Sequence, residues 1–148
     1  MNRLLNLDAA GWRVSLGMLA VRVVVGAAFV FHGWPKIQNP MEWMGPDAPV
    51  PGILQAVAAV SEFVGGMALV AGLLTPLAAL CLAGTMIGAL SYHLNSGDPF
   101  VPGPQGGPSW ELAATYLAVA VAVLLIGPGR ASVDALLFGR PRNYQQAD

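Results

Sequence analysis

The stretch from Ile53 to Leu74, ILQAVAAVSEFVGGMALVAGLL, decides the fold. It is apolar almost throughout and, at about 1.5 Å per helical residue, long enough to cross a hydrocarbon core about 30 Å thick. Yet it carries one carboxylate, Glu62, near its middle. A second stretch, Val14 to Phe31 (VSLGMLAVRVVVGAAFVF), carries one cation, Arg22, near its own middle. A lone charge at that depth costs roughly 2.5–3.5 kcal/mol on insertion scales, so each needs a partner or a task.

Composition supports a membrane reading. The chain has 148 residues, 55% of them hydrophobic and 10% charged, against about 25% charged in an ordinary soluble domain. Residues 63 to 97 contain no Asp, Glu, Lys or Arg, and neither do residues 112 to 129. A soluble all-α core protein is the alternative, and it lacks the polar surface to coat such a bundle. The net charge of −1 and the scattered basic residues leave no electrostatic footprint for nucleic acid. The single cysteine, Cys81, allows neither an intrachain disulfide nor a CxxC motif and reads as a small buried apolar residue. The first apolar segment is long for a signal peptide and carries Arg22, so it reads as a retained span.

The expected architecture is all-α: one integral-membrane domain over residues 1–148, an antiparallel four-helix bundle. Its spans are expected at about 14–34, 53–73, 77–94 and 110–126, with an interfacial tail helix at about 132–138. Gly33 and Pro35 punctuate the end of span one, and residues 35 to 52 hold five prolines and form a loop. Met41, Trp43 and Met44 in that loop suit the headgroup region. The turn at Gly72-Leu73-Leu74-Thr75-Pro76 makes spans two and three a tight hairpin, with Thr75 as candidate cap and Pro76 in the first turn. Arg3 and Arg13 precede span one, and Arg130, Arg140 and Arg142 follow span four, whereas the two long loops hold Lys36 alone. That asymmetry places both termini in the cytoplasm.

Counted inward from Arg13 and from Ile53, Arg22 and Glu62 each lie roughly 13.5 Å deep from opposite faces, which puts them near one level. They are therefore expected to form a structural ion pair. Gly26, Gly65 and Gly66 lie one turn away from the two charges and suit close helix contact. Gly84 and Gly88 form a GxxxG whose ordinary meaning is packing within the bundle.

The other polar groups gather at the outward end. His32, His93 and Glu111 are the candidate catalytic or proton-handling residues, and Lys36, Trp34, Tyr92 and Trp110 are candidate ligand contacts. Each has a plainer role: an interfacial histidine, an aromatic belt, or an acid at the positive end of a helix. No metal motif has diagnostic spacing, so no metal is expected, and axial haem ligation by His32 and His93 is disfavoured.

The run Arg22-x3-Gly26-x2-Phe29-x2-His32-Gly33-x2-Lys36 resembles the first span of the DoxX family. Glu62-Phe63-Val64-Gly65-Gly66 followed by Gly72-Leu73-Leu74-Thr75-Pro76 is similar to its second. Glu111 through Tyr116 to Gly127-Pro128-Gly129-Arg130 and Ser132-Val133-Asp134 looks like its closing motif. The resemblance implies a multi-pass four-helix protein of a bacterial cytoplasmic membrane, linked to redox or sulfur metabolism and oxidative stress, often as a partner of other proteins. Arg22, His32, Lys36, Glu62, Glu111 and Asp134 fall on the family pattern, and His93 fits it too.

Three functions follow as expectations. The first is a non-autonomous subunit of a quinone-linked redox system, with quinone as the cofactor to consider and electrons supplied by a partner. The second is a non-catalytic scaffold or assembly factor for a partner protein. The third is a small-solute or proton carrier, for which four spans are few unless the protein forms a homo-oligomer. Lipid is a partner in all three.

Overall fold

The computed structural model describes residues 11–138. Arg3, Arg140 and Arg142, which bear on the orientation, and most of the lead-in before span one lie outside the described residues. Among the described residues five helices form: α1 Trp12–Gln38, α2 Gly52–Ala71, α3 Thr75–Asn95, α4 Glu111–Ile126 and α5 Val133–Phe138. The extended pairing among the described residues is a single bridge, Gly103 to Gly106, in the loop before α4.

Three of these helices are long and apolar enough to cross a membrane. The fourth, α4, has 16 residues and is about 24 Å long. The helices turn large apolar side chains outward: Val24 is 68% exposed, Phe31 78% and Leu125 70%. In water such a surface would drive aggregation, whereas hydrocarbon accepts it. The interior is made of Met18, Phe29, Leu69, Leu82, Met86 and Val123, with alanines between them. Helix α1 packs chiefly on α2 and α3 chiefly on α4, and the α2–α3 hairpin joins the two pairs.

Glycine sets the closest contact. A Cβ on Gly26 would stand 2.7 Å from the Gly66 carbonyl oxygen, and one on Gly33 would stand 2.5 Å from the Phe63 nitrogen. Residue numbers rise along α1 as they fall along α2, so the pair is antiparallel and its register is fixed at two points. Gly33 is thus a contact point within α1, which continues to Gln38 rather than stopping near Trp34. Pro35 lies in the last turn, where the helix goes without the bond its amide would have made to the Phe31 carbonyl.

The GxxxG at Gly84 and Gly88 does not pack within the bundle. Both glycines are exposed, with no atom within 4 Å of a Cβ built on either. The core face of α3 is instead Ala78, Ala79, Leu82, Ala83 and Met86. Cys81, expected to be buried, lies off that face and is exposed.

Helix α2 ends in a left-handed residue, Gly72, at φ +67°. The Gly72 amide donates to the Leu69 carbonyl at 3.1 Å, and the Leu73 amide to the Ala68 carbonyl at 2.9 Å. That pattern closes the helix and redirects the chain. The next helix is not capped by Thr75, whose hydroxyl is buried without a hydrogen-bond partner. Its cap comes from α5, as described next.

Candidate functional site

The two membrane charges do not pair. With Gly26 against Gly66, Arg22 is level with Leu69 and Gly72, and Glu62 is level with the last turn of α1. Leu69 lies seven residues from Glu62, roughly 10 Å along the axis of α2. The expected coincidence of depth fails because each depth is counted from its own helix edge, while the glycine contacts set the relative height. Two polar centres result, at opposite ends of the α1–α2 pair.

The first centre surrounds Arg22, which is fully buried. Its Nη1 donates to the Leu69 carbonyl at 3.2 Å and its Nη2 to the Ala131 carbonyl. Nε has no hydrogen-bond partner. Asp134, also buried, accepts from the Leu74 amide at 2.7 Å and the Thr75 amide at 2.8 Å, while its own amide donates to the Gly72 carbonyl at 2.8 Å. A carboxylate on two first-turn amides is a strong N-terminal cap. It also supports Leu74, a non-glycine residue at φ +46°. Ser132 ties the approach to α5 by donating to the Gly129 carbonyl at 2.7 Å and accepting from the Ala135 amide at 3.1 Å. The tail helix is thus anchored through Asp134, while Leu136, Leu137 and Phe138 face outward.

The second centre lies at the other end. Lys36 Nζ donates to both oxygens of Glu62, at 2.6 and 2.7 Å. The Glu62 side chain is 3% exposed and that of Lys36 is 22% exposed. The ammonium also lies 4.4 Å from the centroid of the Trp43 ring, a favourable cation–π distance. Trp34 and Phe63, on the same two helices, meet at a tilt with centroids 5.6 Å apart.

Gln55 holds the α1–α2 loop over this end. Its side-chain amide donates to the Val50 carbonyl at 2.8 Å, and its side-chain oxygen accepts from the Met44 amide at 3.1 Å. Its backbone carbonyl accepts from Trp43 Nε1 at 3.0 Å. A buried amide with both ends satisfied fixes a loop at little net cost.

The remaining candidates find separate partners. His32 is exposed and lies edge-on to Tyr116, centroids 6.2 Å apart, with Tyr116 resting on Phe29. His93 Nδ1 is 2.7 Å from Asp98 Oδ2, a partner five residues away in the next loop. Tyr92 lies edge-on to His93. Glu111 is exposed in the first turn of α4, and Trp110 stacks on Phe100 with centroids 4.4 Å apart. No hydrogen bond joins His32, His93 and Glu111. Among the described residues no group of three or more His, Cys, Asp or Glu side chains is placed to hold a metal ion.

Two parts of these centres escape a reading of the sequence. Gln55 does leave a signal: it lies seven residues before Glu62, two turns away on the same helical face. The capping role of Asp134 leaves none nearby, since its amides are 59 and 60 residues away.

Comparison with known proteins agrees with the helical pattern. The model of a family described as DoxX matches residues 17–94. An inner membrane protein of Escherichia coli K12, YqjF, is 33% identical over 129 residues, covering 82% of this chain and 92% of that protein. An uncharacterised protein of Haemophilus influenzae is 32% identical over 121 residues, covering 80% of this chain and 88% of that protein. No solved structure matches the chain. The long apolar helices and these similarities together make it a multi-pass bacterial membrane protein.

Proposed function

The chain belongs to the DoxX family, and from that premise we propose that it is a non-autonomous subunit of a redox system in the bacterial cytoplasmic membrane, its Lys36–Glu62 centre receiving the head of a lipophilic carrier such as a quinone. In this reading α4 is a fourth crossing, both termini are cytoplasmic, and the Lys36 end faces outward.

One observation supports the site above the others: a buried carboxylate has as its hydrogen-bonding partner a lysine whose side chain is partly exposed. A carbonyl or oxyanion can therefore reach the cation without entering the bundle. The rings of Trp43, Trp34 and Phe63 offer flat surfaces to an aromatic head. The chain has no nucleotide-binding loop and no CxxC, so electrons come from a partner or from a cofactor the partner supplies. His32 and Tyr116, one turn along α1 and across on α4, are the groups available to relay protons.

A second reading, a non-catalytic scaffold, draws on the Arg22 centre. That centre ties α1, α2, α3 and α5 together without leaving an open charge.

The two readings separate in one experiment. Protein purified in mild detergent is extracted and its lipophilic contents are identified by mass spectrometry. The redox-subunit reading expects close to one quinone per chain in the wild type and loss of most of it in Lys36→Ala. A wild type with no quinone, alongside a protein partner retained equally by both forms, supports the scaffold and ends the quinone reading.

A further inference from the structure

We infer that binding at the Lys36–Glu62 centre is proton-coupled: an anionic ligand takes the Lys36 ammonium, and Glu62 takes up one proton in exchange. The ligand class is a lipid-soluble weak acid, bound as its anion. This rests on the reading of the centre as a ligand site, though not on the ligand being a quinone.

Both oxygens of Glu62 are held by one donor, the Lys36 ammonium, at 2.6 and 2.7 Å. Among the described residues no other hydrogen bond reaches that carboxylate, and its side chain is 3% exposed. An anion that engages Lys36 therefore competes for the whole of the compensation Glu62 has. A buried carboxylate without a counter-charge or a donor is expelled or neutralised. Expulsion is blocked, because Glu62 lies on the face of α2 that also buries Gln55, Ala59, Gly66 and Leu69. Neutralisation needs one proton, and among the described residues no neighbour is placed to supply another cation. On α1 the charged group at this level is Lys36 itself, with His32 exposed one turn earlier, while Arg13 and Arg22 lie toward the opposite end of the helix. Helix α3 offers Cys81, exposed, and Tyr92 and His93 near its far end, the latter on Asp98. Helix α4 offers Tyr116, tilted against Phe29 and edge-on to His32, and exposed Glu111 at its start. From the loop, Trp43 covers the ammonium with an uncharged ring, and the loop's carboxylates, Glu42 and Asp47, are exposed.

The exchange balances in charge and atoms. The salt bridge opens, one proton from the solvent joins a Glu62 oxygen, and the ligand anion accepts hydrogen bonds from Lys36. A neutral acid entering from lipid brings the same proton with it. The net event is the transfer of an ion pair from Lys36–Glu62 to Lys36–ligand, with the carboxyl left neutral. A permanently neutral ligand gains nothing from this exchange, so the site selects acids over their neutral analogues.

The test is calorimetry on the full chain in detergent with three probes: 3-undecyl-2-hydroxy-1,4-naphthoquinone, its 2-methoxy analogue, and dodecanoate. Titration in two buffers of different ionisation enthalpy counts the protons taken up. The hydroxyquinone should bind with one proton per chain, and its affinity should rise about tenfold for each unit fall in pH across the range where it is an anion. The methoxy analogue should bind at least tenfold more weakly and take up no proton. Glu62→Gln should bind the hydroxyquinone anion with no proton uptake and a flat pH profile. The wild-type proton count stands alone if that variant fails to fold. Hydroxyquinone binding without proton uptake overturns the inference and leaves the quinone site standing. Dodecanoate binding with one proton, where neither quinone binds, supports the inference and removes the quinone reading. Binding by the methoxy analogue alone overturns the inference and leaves the quinone reading standing, and no binding by any of the three probes overturns both.

Discussion

The two ends of the α1–α2 pair handle a buried charge in opposite ways. At one end Arg22 is satisfied by backbone carbonyls from α2 and from the segment before α5, and Asp134 by backbone amides. At the other, Glu62 is satisfied by a side chain, Lys36, which is itself partly open. Backbone groups cannot leave, so the Arg22 end is committed to structure. A lysine on a flexible stem can be drawn away, so the Lys36 end is able to change state. Location alone would not separate them, since both charges sit in apolar helices.

The comparison breaks most sharply at Gly72. A Cβ there would collide with the Arg22 guanidinium and stand 2.6 Å from the Ser132 Cβ, at a φ that favours glycine. Gly72→Val should destabilise the bundle by more than about 3 kcal/mol, seen as loss of detergent-stable protein on size-exclusion chromatography. Next is Asp134→Ala, which leaves two amides at the start of α3 without their acceptor. It should cost about 2 kcal/mol, read as a lower melting temperature in detergent, with Asp134→Asn recovering part of the loss. The smallest effect belongs to the other end. Lys36→Met alone should cost about 2 kcal/mol or less, because Glu62 can be neutralised by a proton, and adding Glu62→Gln should bring the stability, read from the melting temperature, back to within about 1 kcal/mol of wild type. If the double variant is as unstable as Asp134→Ala, the two ends do not differ in kind.

How much of this the sequence reveals depends on how far apart the interacting residues lie. The charge-free stretches at 63–97 and 112–129 mark where helices run, because hydrocarbon tolerates little else. The α2–α3 turn is equally visible, since Gly72 and Pro76 are local signals. Relative helix height is not visible. It is fixed by Gly26 against Gly66 and Gly33 against Phe63, and a one-turn slip moves a side chain about 5 Å. Hence the expected Arg22–Glu62 pair is replaced by Lys36–Glu62. Helix facing is also hidden in part: Gly84 and Gly88 have a packing motif, yet Leu82 and Met86 decide which side of α3 turns inward. At the Lys36 end, Lys36 and the aromatic residues are individually legible, while the bracket made by Gln55 depends on the path of a proline-rich loop.

The cap on α3 bears on how the protein is made. The Leu74 and Thr75 amides leave the ribosome about sixty residues before the carboxylate that receives them. During that interval the hairpin enters the bilayer with its bend held only by the Gly72 and Leu73 amides. The final lock therefore closes after synthesis has passed residue 134, and a nascent chain halted before that point would carry every long helix and still lack the fastening between the first and last parts of the fold.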